Sequence, residues 1–102
     1  MTRHIVIFKY KRTATKDQIG QVTEAFRGLK DRIPGIISFE HGVNNSPEGK
    51  DLGFTHVHVL TFADERSRDA YLPHPSHLTF IGYLERLQIV EDVFVVDYDP
   101  QT

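Results

Sequence analysis

Residues 54–62 read FTHVHVLTF, and the alternation in this stretch decides the fold. In a strand, residues two apart point to the same side at a spacing of roughly 6.6 Å. Phe54, His56, His58, Leu60 and Phe62 therefore share one face, and Val57 and Val59 lie on the other. A strand with apolar side chains on both sides needs cover on both sides. HIVIFKY at 4–10 has the same character, with His4, Val6 and Phe8 opposed to Ile5 and Ile7. Burying each such aliphatic side chain is worth ~1.5–3 kcal/mol, so an uncovered second face predicts a partner. A second copy of the chain is the simplest cover, giving a symmetric dimer through the sheet face.

The remaining elements follow outward from these two strands. TKDQIGQVTEAFRGLKDRI at 15–33 carries Ile19, Val22, Phe26, Leu29 and Ile33 on one helical stripe. Thr15 followed by Gln18 is a capping-box start, and Pro34-Gly35 is a stop. IISFEHGV at 36–43 predicts a second strand, and NNSPEGKDLG at 44–53 a loop. A helical segment opens at Asp64 and halts before Pro73; another, PSHLTFIGYLERL, runs over 75–87; and IVEDVFVVDY at 89–98 predicts the last strand. The order β-α-β-β-α-β predicts an α+β, ferredoxin-like protomer: a four-stranded antiparallel sheet with helices on one face. With 102 residues, the chain is expected to be a single domain over 1–102.

The bulk properties exclude several classes. Net charge is −2, and Lys and Arg cluster only in KYKR at 9–12, which argues against general nucleic-acid binding. There are no cysteines, so disulfides, thiolate nucleophiles and Cys-based zinc sites are excluded. The N-terminal apolar run ends at Lys9, too short for a signal-peptide core or a membrane span; the expected location is the cytoplasm, with no membrane partner. GKDLG lacks the spacing of a phosphate-binding loop, and no cofactor is expected.

The histidines carry the chemistry. If strands 1 and 3 lie side by side at the sheet centre, His4 and His56 are expected as neighbours on the helix-facing side. Tyr71 and His77, from YLPHPSHL at 71–78, would come down over them. Pro75 suits the first position of a helix, where its missing N–H costs nothing. His77 would then sit in the first turn, where the positive helix end favours neutral imidazole, the form that accepts a proton. Tyr71 offers a phenol to hold or share a hydrogen bond. His41 reads as an ordinary polar residue of strand 2, and His74 as the residue between two helices. Phe54, His58, Phe62, Phe80 and Tyr83 are candidate walls of a binding pocket, for which plain core is the competing reading.

With these residues in hand, the chain resembles the stress-responsive dimeric α+β barrel family. The likeness rests on H-I-V-x-F-K at 4–9, P-G-I at 34–36, G-x-N-x-S-P-E-G at 42–49 and L-G-F-T-H at 52–56. Y-L-x-H-P-x-H at 71–77 and V-x-D-Y at 95–98 complete it. The resemblance implies a ferredoxin-like protomer pairing sheet to sheet. It also implies, through a plant polyketide cyclase in that family, that His4, His56, Tyr71 and His77 match active-site positions. His77 would then take an α-proton, Tyr71 would hold the enolate oxygen, and His4 and His56 would orient them. His58 departs from that pattern by adding a third imidazole.

Three functions stay open on the sequence. One is a stress-associated protein of unassigned activity holding a small molecule in a His/Tyr-lined pocket. The second is a cyclase-like enzyme closing a ring by aldol chemistry. The third is a metal-binding dimer using His56 with His58 and His74 with His77, imidazole being a common ligand of transition metals.

Overall fold

The computed structural model describes residues 1–102. Seven elements follow in chain order: β1 (Thr2–Tyr10), α1 (Lys16–Arg32), β2 (Ile36–Val43), β3 (His56–Phe62), α2 (Glu65–Tyr71), α3 (Pro75–Leu87) and β4 (Val90–Tyr98). The strands form one antiparallel sheet in the order β2-β3-β1-β4. β1 and β3 are thus central, as the two-faced apolar pattern requires. This is the ferredoxin-like α+β arrangement, with three helices on one side of the sheet.

Local chemistry explains the boundaries. The Thr15 hydroxyl accepts from the backbone N–H of Gln18 at 3.1 Å, and the Gln18 side-chain oxygen accepts from Thr15 N–H at 3.0 Å. Two donors that the helix itself cannot satisfy are thereby paired. Val22, Phe26 and Leu29 of α1 then pack onto Val6, Phe8 and Leu60 of the sheet, with Tyr71 and Phe80 closing the core from the other helices. Asp64 caps α2 by accepting from Ser67 N–H at 2.8 Å. α3 starts at Pro75 as expected and ends where Gln88 turns left-handed at φ 56°.

One boundary differs from expectation. β3 begins at His56, two residues later than the alternation suggested. Leu52 and Gly53 both take positive φ, 56° and 87°, so the chain arrives at the sheet through a turn. Phe54 therefore leaves the helix-facing row and packs edge-on against Phe94 at 6.1 Å. Phe94 pairs with Ile7 on the side of the sheet away from the helices.

That outer side is uncovered in the single chain. Ile5 and Ile7 of β1, Val57 and Val59 of β3, and Phe94 and Val96 of β4 lie in adjoining rows. Val96 and Phe94 remain 45% and 52% exposed, an apolar area flanked by Arg3, Lys9 and Glu40. No helix is long and apolar enough to cross a membrane.

Candidate functional site

A cavity of about 460 Å³ lies between α3 and the β1–β4 half of the sheet. Val6, Phe8, Phe26, Phe80 and Leu84 give it apolar walls, and Val93 and Val95 of the β4 edge complete it. Its polar end is formed by His4, Tyr71 and His77. The rings of Tyr71 and His77 lie 4.3 Å apart, tilted by 32°, and His4 meets Tyr71 edge-on at 5.7 Å.

The break between α2 and α3 sets His77. In a continuous helix the Leu72 carbonyl would accept from the N–H of Ser76. Here Ser76 N–H instead donates to Nδ1 of His74, the N-cap of α3, at 3.1 Å. The orphaned Leu72 carbonyl accepts from His77 Nδ1 at 2.8 Å. A carbonyl can only accept, so Nδ1 carries the hydrogen and Nε2 keeps the free lone pair. His77 titrates below its ordinary value, chiefly because burial penalises the cation; the Leu72 carbonyl opposes this and nearby His4 adds to it. Neutral imidazole is the expected form here, and burial is a cause that the helix position alone did not reveal.

Tyr71 is fully buried, and its hydroxyl has no protein partner. Burial raises its pKa, so it stays a phenol with a hydrogen to donate. His4 is buried too, and its Nδ1 donates to Asp97 at 2.7 Å. The second oxygen of Asp97 accepts from Arg68 at 2.8 Å, and Arg68 also binds Asp69 at 2.9 Å. Asp97 and Arg68 escaped the sequence reading. Their only signal is that Asp97 falls on the otherwise apolar alternation of β4, directly opposite His4 in register.

His56 does not join this group. The register pairs His4 with Leu60 and Phe8 with His56, so the two histidines stand four residues apart along β1, about 13 Å. His56 instead meets Tyr10 edge-on at 4.9 Å and stacks near His41 at 6.0 Å. His58 is fully buried between Phe8 and Phe26, 4.7 and 4.8 Å from their rings, and donates Nδ1–H to the Val6 carbonyl at 2.9 Å. It stands behind the cavity wall rather than in it. Phe62 likewise packs behind Tyr71 at 5.2 Å, and Tyr83 lines a separate groove between α1 and α3 with Arg32 and Arg86. Of the five expected wall residues, Phe80 alone faces the cavity.

His41 is also not the satisfied polar residue it looked. Its Nε2 is buried without a partner, 5.2 Å ring to ring from His58. The proposed metal pairs are separated: His74 caps α3, His77 serves Leu72, and His58 is walled in by phenylalanines. No three His, Asp or Glu side chains are placed to hold a metal ion.

Known proteins share this architecture. Over 97% of its length the chain is 26% identical to olivetolic acid cyclase of Cannabis sativa, covering 96% of that protein. Among solved structures it is similar to hydroxynitrile lyase from Passiflora edulis, with 27% identity, a TM-score of 0.87 and coverage of 99% and 94% of the two chains. A dimeric ferredoxin-like protein of unknown function from Jannaschia superposes at a TM-score of 0.79 with 28% identity, over 97% of this chain and 98% of that one. The model of the stress responsive A/B barrel domain matches residues 2–100, and the chain belongs to that family.

Proposed function

We propose that this protein holds a small carbonyl compound in the cavity and moves a proton at the carbon beside the carbonyl. One observation carries the reading. His77 is locked as the Nδ1–H tautomer by Leu72, so its free Nε2 serves a cavity that also holds the unpartnered phenol of Tyr71. His77 removes the α-proton, and the C–H electron pair moves into the carbonyl to give an enolate. Tyr71 donates its O–H to that oxygen. His4 keeps the polar end in place, oriented by Asp97 and Arg68. The apolar walls bind the remainder of the ligand and exclude water, which strengthens each polar contact.

The likeness to olivetolic acid cyclase favours a second, finer reading. In an aldol closure the enolate carbon forms a C–C bond to a second carbonyl of the same molecule. The proton held by His77 then passes to the new alkoxide. In both readings two protomers pair through the apolar outer sheet face, leaving each cavity on the far side of its own sheet; the dimeric state of the Jannaschia protein supports pairing, and the exposed Phe94 and Val96 favour this face for it.

Deuterium exchange tests the proposal without a known substrate. Benzylacetone (4-phenylbutan-2-one) exchanges its α-hydrogens slowly in neutral D2O. The protein should accelerate this exchange, and His77→Ala should abolish the acceleration. No acceleration, or one untouched by His77→Ala, would defeat it.

A further inference from the structure

The cavity is an elongated groove, open to solvent along Val93 and Val95, with two chemically different ends. β1 and β4 pair His4 with Asp97, Val6 with Val95 and Phe8 with Val93, so the lining advances from a polar row to apolar ones. On the opposite wall, α3 runs in the same direction from His77 through Phe80 to Leu84 and Glu85. The chain turns from α3 into β4 beside Lys11, whose N–H donates to the Ile89 carbonyl at 2.8 Å. The C-terminal end of α3 therefore lies at the Tyr10 end of β1. Two independent rulers give the length. Four residues of strand from His4 to Phe8 span about 13 Å. Eight residues of helix from His77 to Glu85 span about 12 Å.

Glu85 is the one carboxylate among the lining side chains, and it takes part in no ion pair. Arg86 next to it in sequence lines the separate groove between α1 and α3. Every other lining residue at that end, Phe8, Leu84, Val90 and Val93, is apolar. A ligand lying along the groove with its carbonyl at His77 and Tyr71 brings its far end to this carboxylate.

We infer that Glu85 selects for ligands carrying a cationic or hydrogen-bond-donating group about 12 Å from the reacting carbonyl, and against those ending in an anion. The inference rests on the proposed reading of the cavity and adds the chemical class of the distal group. Anionic tails are disfavoured by like charge; an ammonium, amide or hydroxyl at that distance finds a partner that a plain alkyl end does not.

Two matched ketones test this. In one, the para position of benzylacetone carries a 3-aminopropyl group, which extends the ammonium to that distance; in the other, a butyl group of the same size. Binding is followed by NMR shifts of the His77 and Phe80 rings. The aminopropyl compound should bind roughly two- to fivefold tighter, the range of a solvent-accessible ion pair. The preference should shrink with added salt and vanish in Glu85→Gln. Equal affinities, or a preference that survives Glu85→Gln, overturn the inference while leaving the cavity reading intact. If neither ketone moves the His77 and Phe80 resonances, the cavity reading falls and the inference with it.

Discussion

His77 donates its Nδ1–H to the carbonyl of Leu72 at 2.8 Å, across the break made by Pro73 and His74. The bond is a structural repair: it satisfies a carbonyl that a continuous helix would have used. It is also what leaves Nε2 unprotonated next to the Tyr71 ring. A helix-end defect and the proposed general base are thus one feature.

Two substitutions separate the roles at the polar end. His77→Ala should reduce catalysed α-exchange by ~10²–10⁴, the range for loss of a general base. It should cost about 1 kcal/mol of stability, the loss of one half-buried hydrogen bond. Tyr71→Phe should reduce exchange less, by about tenfold to a hundredfold, because one donor to the enolate oxygen is removed. Its hydroxyl has no protein partner, so the melting temperature should hold or rise. Exchange kinetics with urea denaturation would measure both; a Tyr71→Phe variant as inactive as His77→Ala would reverse the assignment.

Asp97 holds His4 from one side and Arg68 from the other. Asp97→Asn keeps the shape but removes the carboxylate. Exchange should fall about tenfold, and the 15N shifts of the His4 ring should change because its Nδ1–H loses a charged acceptor. Arg68→Met should give a smaller effect of the same kind. An unchanged His4 spectrum in Asp97→Asn would show that the pair does not orient the ring.

Acid should destabilise the protein through His58. Burial pushes this imidazole down to about 4, partly opposed by the Val6 carbonyl and reinforced by His41 and His56. The unfolded chain takes up the proton near pH 6.5, whereas the folded chain resists until about pH 4. Stability is therefore full above pH 6.5 and falls as the pH drops through that window, by up to about 3 kcal/mol. His41 and His56, both also lowered by burial, act in the same direction. His58→Phe, stacked between Phe8 and Phe26, should flatten most of the slope between pH 6.5 and 4.5. Denaturant melts at several pH values would show it, and an unchanged slope would refute it.

The outer sheet face should hold two protomers together. Phe94→Glu places a carboxylate among Ile7, Val57 and Val96 and should shift the protein to monomer while its far-UV spectrum stays the same. Light scattering after gel filtration reads the mass directly. A dimer unaffected by Phe94→Glu would move the contact elsewhere.

Most of the fold was legible because its signals are local. The Thr15–Gln18 box, the Ile19-to-Ile33 stripe, Pro75 and the β1 and β3 alternation each state an element on their own. The site was only half legible because it depends on register. Alternation correctly put His4 and His56 on one side, but the antiparallel pairing of β1 with β3 slides them four residues apart. The left-handed turn at Leu52 and Gly53 likewise took Phe54 off its expected face, and no period reveals that. Asp97 and Arg68 look like ordinary surface charges until β4 is laid beside β1.

Imidazole 15N NMR tests the central claim most directly, with no ligand required. At neutral pH His77 should be the Nδ1–H tautomer, titrating below its ordinary value. An Nε2–H tautomer, or a His77 that is protonated at neutral pH, would contradict it.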